Sequence, residues 1–124
     1  MVIPTRQVRK QEFDYLIKEI LDADDDEVLK AILTQNKITM IYQILTISSK
    51  AVDLLTYTDP TDNVERPIPV YIAAMFHIVR AWNQYLIAQH NLSKVDWSDR
   101  NYINADAYDE FRVSIYDPDA PLSS

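Results

Sequence analysis

The sequence predicts an all-α fold: a small bundle of about four helices around one central apolar helix at residues 70–90, with an irregular C-terminal arm. Three observations carry this expectation. Apolar residues recur at spacings of three and four through most of the chain. The stretch "RPIPVYIAAMFHIVRAWNQYLIAQHN", residues 66–91, is the most apolar part and is led by prolines. The 124 residues include no glycine, where average usage of about 7% would supply roughly eight or nine. Helices joined by few tight turns suit that composition, with any positive-φ positions falling to Asn or Asp.

Residues 6–22, "RQVRKQEFDYLIKEILD", place Phe13, Leu16, Ile17, Ile20 and Leu21 on one face of an amphipathic helix, with Thr5 as its N-cap. A short helix follows in "ADDDEVLKAILTQN", its apolar face made by Val28, Leu29, Ile32 and Leu33. Asp24, with Glu27 three residues on, reads as a capping-box variant, and the acidic run suits the positive end of a helix dipole. A change of phase near Gln35–Asn36, with Asn36 as a left-handed cap, separates this helix from a longer one within 36–59. There Ile38, Ile41, Leu45, Ser48, Val52 and Leu55 keep a bundle-seam spacing, although the Ile- and Thr-rich first half also has strand character. "TDPTDNVERPIP", 58–69, is the clearest loop, marked by three prolines.

The central helix carries two apolar faces. Ile72, Met75, Phe76, Val79, Trp82 and Leu86 form one; Tyr71, Ala74, Ile78, Ala81, Tyr85 and Ala88 form the other. Together they cover more than the roughly 100° stripe of a surface helix, which predicts packing on several sides. His77 falls with Ala73, Arg80, Gln84 and Asn91 on the remaining polar stripe. A membrane span is excluded by length. Only 13 uncharged residues separate Arg66 from Arg80, against about 20 needed to cross.

Residues 93–124 form a polar and aromatic arm. Ser93 with Asp96 is cap-like, 105–111 reads as a short helix, "FRVSIY" alternates as a short strand does, and the last eight residues read as extended or disordered. No repeat or domain boundary interrupts the chain, so 1–124 is expected to be a single domain.

Charge and composition exclude several function classes. A net charge of −7 repels nucleic acid and anionic lipid at long range. Arg6, Arg9 and Lys10 are the local exception, expected to form a solvated helix face. Without cysteine there are no disulfides, thiolate metal sites or cysteine nucleophiles. Without glycine, phosphate-cradling loops and nucleophile elbows are disfavoured. The run Asp24–Glu27 lacks the alternating ligands of a calcium loop. His77 and His90, 13 positions apart, stand about 20 Å from each other on a continuous helix, too far to share a metal. The expectation is therefore no enzyme, no cofactor and no metal. The N-terminal residues lack a signal-peptide pattern, so the product is expected to be cytoplasmic when made.

Protein–protein contact is the remaining theme. The small-residue row Ala74, Ala81 and Ala88 would permit close approach of another helix, with Tyr85 beside it. Trp97, Tyr102, Tyr108, Phe111 and Tyr116 supply the amphipathic aromatics enriched at interfaces. The order of an Asp-rich helix start in "ADDDEVLKAIL", a polar loop, then the proline-led aromatic helix "RPIPVYIAAMFHIVRAWNQYL" resembles tailed-phage head–tail connector proteins in layout, over about half the chain. The resemblance implies an all-helical adaptor that forms a ring with copies of itself, joins portal to stopper or tail components, and resides in the virion. Such a ring would be neutral toward passing DNA, because an acidic lumen does not grip it. A second expectation comes from charge alone: a small acidic inhibitor that mimics nucleic acid and blocks a nucleic-acid-binding host factor.

Overall fold

The computed structural model describes residues 5–116, without the Tyr116 side chain. The tail at 117–124, expected to be extended or disordered, lies outside the described residues. The fold is mainly helical. α1 spans Arg6–Tyr15 and continues as a π-helical turn, Leu16–Ile20. α2 is Glu27–Gln35, α3 Ile41–Thr46 and α4 Ser49–Asp53. A hairpin of β1 (Thr56–Thr58) and β2 (Glu65–Pro67) comes next, then α5, Val70–His90. α6, Ala105–Glu110, continues as a π-helical segment, Phe111–Tyr116.

α1 starts where Thr5 accepts a hydrogen bond from Val8 N, 3.2 Å, as its sequence suggests. The wider π turn keeps Leu16, Ile17 and Ile20 all facing the core. It closes through Leu21 N to Leu16 O, 2.8 Å, and Ala23 N to Ile17 O, 2.9 Å. The cap of α2 is Asp26 rather than Asp24: its carboxylate accepts from Leu29 N at 3.0 Å. The left-handed residue after α2 is Lys37, φ 56°, whereas Asn36 keeps φ −94°. Ile38 N to Leu33 O at 2.8 Å and Lys37 N to Thr34 O at 3.2 Å complete a Schellman closure there. Asn36 instead turns its amide to the carbonyls of Ile32 (2.9 Å) and Thr56 (3.2 Å).

The expected long helix within 36–59 is broken twice. The Gln43 side chain accepts from Thr39 N (2.7 Å) and Met40 N (2.9 Å), which delays the helix start to Ile41. Thr46 bonds back to Tyr42 O (2.8 Å), Ile47 is extended, and Ser48 accepts from Ala51 N (3.1 Å) to open α4. β-Branched residues followed by a good N-cap thus override the seam periodicity.

The hairpin is a correction to the all-α expectation and to the loop assigned at 58–69. Thr56 pairs with Pro67, Tyr57 with Arg66 and Thr58 with Glu65, antiparallel. Pro67 is tolerated because this two-stranded sheet is all edge. The free side of β1 is satisfied from α2: Gln35 donates to Thr58 O (2.8 Å) and accepts from Thr58 N (2.6 Å). A glutamine amide there stands in for a third strand and blunts the edge. Across the turn, Arg66 bridges Asp59 (3.1 Å) and Asp62 (2.6 Å).

α5 occupies the predicted range. Ile72, Phe76, Val79, Trp82 and Leu86 are buried, while Met75 is half-buried. Ala73, expected on the polar stripe, is buried as well. Two members of that stripe meet α4: His77 Nε2 lies 2.9 Å from Asp53 Oδ1, and Arg80 donates to Ser49 Oγ at 3.0 Å. Asn91, φ 52°, ends the helix, with Leu92 N on Ile87 O at 2.9 Å. Asp22, Asn63 and Asn91 take left-handed backbone as a glycine-free chain requires; Lys37 is the departure from the expected Asn and Asp.

Beyond α5 the chain returns over it. Trp82 meets Trp97 and Tyr108 edge-on, with centroids 5.6 and 5.3 Å away. Ser93 caps no helix; Asp96 instead makes a local turn with Ser98, accepting from its N (3.0 Å) and Oγ (2.6 Å). "FRVSIY" is π-helical rather than a strand, since it extends the helix that Asn104 caps through Ala107 N, 2.9 Å.

Candidate interaction surface

The interface candidates read from the sequence separate into two groups. Trp97, Tyr108 and Phe111 are core side chains, at 7%, 3% and 5% exposure. Phe111 packs on Tyr85, 5.1 Å between centroids, so both rings are engaged within the chain. Tyr102 is half-buried: it stacks on His90 at 5.1 Å and accepts from Asp96 N at 3.1 Å. Ala74 and Ala81 are half-buried and Ala88 is exposed at the helix end. The Tyr116 side chain lies outside the described residues. Of these positions Trp97, Tyr108 and Phe111 close the core around α5. The cause is size: a short domain uses its large aromatics for its own interior.

A different surface collects unpartnered chemistry. A groove of about 1200 Å³ runs beside α1, between it and the α2–α3 region. Its walls carry Arg6, Arg9, Lys10, Lys18, Lys30 and Lys37, with Asp14 and Asp24 as the only carboxylates. Its floor is apolar: Phe13, Ile17, Leu33, Ile38 and Met40. Six of the twelve cations in the chain, and two of the nineteen acids, line this one groove. The groove is therefore +4 while the remainder of the chain is −11.

Local structure explains the arrangement. Arg6, Lys10 and Lys18 repeat at multiples of four, which keeps them along one side of α1 and its π turn. The Schellman closure after α2 aims Ile38 at the core and leaves Lys37 at the rim. Lys30 stands 3.5 Å from Glu27, a solvent-exposed pair of little energetic weight. Among the described residues no other groove cation makes an ion pair. Arg9 Nε is shielded from water and has no hydrogen-bond partner there.

Arg6 and Lys10 are exposed, as the expected solvated helix face requires, Arg9 is half-buried, and all three also line the groove. Their i, i+3, i+4 spacing was visible in the sequence, and Lys18 extends it. Nothing local could add Lys30 and Lys37, which arrive through tertiary packing.

On the opposite side of α1, Glu12 is half-buried beside Asp96 and Lys94. Burial first, then the Asp96 carboxylate, raise its pKa above the ordinary range. Elsewhere the acids serve turns and caps. Asp59 and Asp96 are held below the usual carboxylate range by hydrogen bonds from Thr61 and Ser98 respectively. Asp62 is held down to about 2 by its hydrogen bonds from Arg66.

The two histidines have separate local partners, Asp53 and Tyr102. Among the described residues no group of three or more His, Asp or Glu is arranged to hold a metal. No described helix is long and apolar enough to cross a membrane. No family model matches this chain, and neither does any curated protein or solved structure.

Proposed function

We propose that this chain is a non-catalytic structural subunit that works through protein–protein contacts, of the head–tail connector kind that joins portal to tail components. The groove beside α1 is the observation that carries this reading. An apolar floor with cations along its walls matches the chemistry of a polypeptide surface better than that of a small polar substrate. Exposed apolar side chains at the start of α5 and the end of α4 add to it: Val70 at 86%, Leu54 at 68% and Tyr71 at 51%. Single exposed apolar residues are ordinary, but three within one short stretch of fold favour a covered surface.

The nucleic-acid mimic is less well supported. Its carboxylates should gather on one face, whereas these serve caps and turns at three separate places: Asp26 at the start of α2, Asp59 and Asp62 in the hairpin turn, and Asp96 and Asp99 in the loop after α5.

The test is the native mass of the particle, measured alone and with portal and tail-side proteins of a tailed phage. A connector enters a symmetric assembly of defined stoichiometry. A chain that joins no such assembly, and instead inhibits a nucleic-acid-binding enzyme in a salt-sensitive way, would overturn the reading.

A further inference from the structure

We infer that the groove beside α1 receives the acidic helix Ala105–Tyr116 of a second copy, so that copies associate head to tail. The inference rests on the assembly reading above and names the surfaces that would build it. Charge supplies the first argument. A +4 groove on a chain otherwise at −11 attracts other copies of that chain, provided the acidic part can reach the groove.

The C-terminal helix is the acidic part that fits. Asp106, Asp109 and Glu110 are exposed and lie at i, i+3 and i+4, hence on one face of α6. Val113 and Ile115 follow at 46% and 53% exposure, giving apolar groups for the floor. Arg112, 3.6 Å from Asp109, is the one cation of this segment, so the segment as a whole is −2. Length also agrees. The twelve residues 105–116 span about 18 Å as a helix, and the groove edge from Arg6 to Lys18 is about as long.

The donor and acceptor surfaces differ, so the contact need not be reciprocated. Repeated head to tail it gives a closed ring or an open filament, whereas two copies that exchange it reciprocally close as a two-fold dimer. Double-stranded nucleic acid would satisfy the cations but not the apolar floor, and it would meet the repulsion of the remaining acids.

Sedimentation velocity of the full chain over a range of concentrations, at low and high salt, tests the inference. The wild-type chain should self-associate and weaken with salt. Lys30→Glu with Lys37→Glu should weaken association about tenfold or more, as should Asp106→Lys with Asp109→Lys. Mixing these two variants should restore association, because the intact groove of one meets the intact helix of the other. Misfolded variants could not rescue each other. Three results would overturn the inference: a wild-type chain that stays monomeric, association indifferent to both reversals, or groove-dependent binding of a DNA duplex without self-association. Association indifferent to both reversals would remove the groove contact while leaving the assembly reading intact. Failure to enter any larger particle would remove the assembly reading itself.

Discussion

The Tyr71 hydroxyl donates a 2.7 Å hydrogen bond to Asp26 Oδ2, joining the first turn of α5 to the start of α2. Asp26 Oδ1 meanwhile accepts from Leu29 N, so one carboxylate both caps a helix and tethers its neighbour. The tie raises the Tyr71 pKa to about 12, chiefly because the phenol proton is held by Asp26. A folded pKa above the unfolded value means stability present below pH 10 and lost as pH rises from there toward 12. Asp26→Ala should cost about 1 kcal/mol through the lost cap, and should return Tyr71 toward ordinary titration. Ultraviolet titration of the phenols, with wild type and Tyr71→Phe as references, checks both.

Phe76 is the second test. It is 1% exposed in the middle of α5, so Phe76→Ala should cost about 3–5 kcal/mol. A loss below about 1 kcal/mol in denaturant unfolding would place that face of the helix at the surface.

Glu12 should respond to pH in the opposite sense from a salt-bridged acid. Its folded pKa is raised, so the folded state favours the protonated form. Its contribution is most favourable below the ordinary carboxylate range and falls as pH rises through the raised value. Glu12→Gln should therefore increase the melting temperature at pH 7 and lose that advantage near pH 4.

The hairpin turn should loosen in acid before the core does. Asp62 titrates at about 2, held there by Arg66, so its contribution is complete above pH 4 and disappears as pH falls through 2. Amide exchange at Asn63 and Val64 should accelerate over that interval. In Asp62→Asn the same amides should exchange quickly even at neutral pH.

Lys37 carries a left-handed backbone at φ 56°, a conformation disfavoured by a β-carbon. Lys37→Gly should stabilise the fold by about 0.5–1 kcal/mol. Thermal unfolding in high salt, where groove contacts are screened, isolates this effect.

The helices legible in the sequence are those whose ends and periodicity agree. α5 has Pro69 before it, a left-handed Asn91 after it and an apolar face between, and its limits follow from those features. α1 was equally readable from Thr5 and the Phe13–Leu21 face. The region 36–67 was not, because its determinants are long-range. Periodicity at Ile41, Leu45 and Val52 survives, but the chain between them is redirected by Gln43, Thr46 and Ser48. The β1 strand depends on Gln35, an amide more than twenty positions away. The groove shows the same limit. Its α1 cations were visible as a cluster, while their conversion into a concave site needed Lys30 and Lys37 to fold back onto them. The aromatics after Ser93 have the amphipathic character that suits an interface, yet Trp97, Tyr108 and Phe111 use it inside the fold.

The chain has two tryptophans, and the fold sets both against each other at 5.6 Å on the C-terminal side of the core. That pairing gives the protein an internal optical reporter with a restricted field of view. Red-shifted indole emission would signal release of the segment after α5 from Trp82. Movement of α1 would register as well, because Val8, Arg9 and Glu12 line one pocket with Trp97, whereas rearrangement confined to the hairpin would leave the colour of the emission unchanged. Fluorescence can thus follow one part of the molecule as it folds or meets a partner, and a label in the hairpin supplies the other.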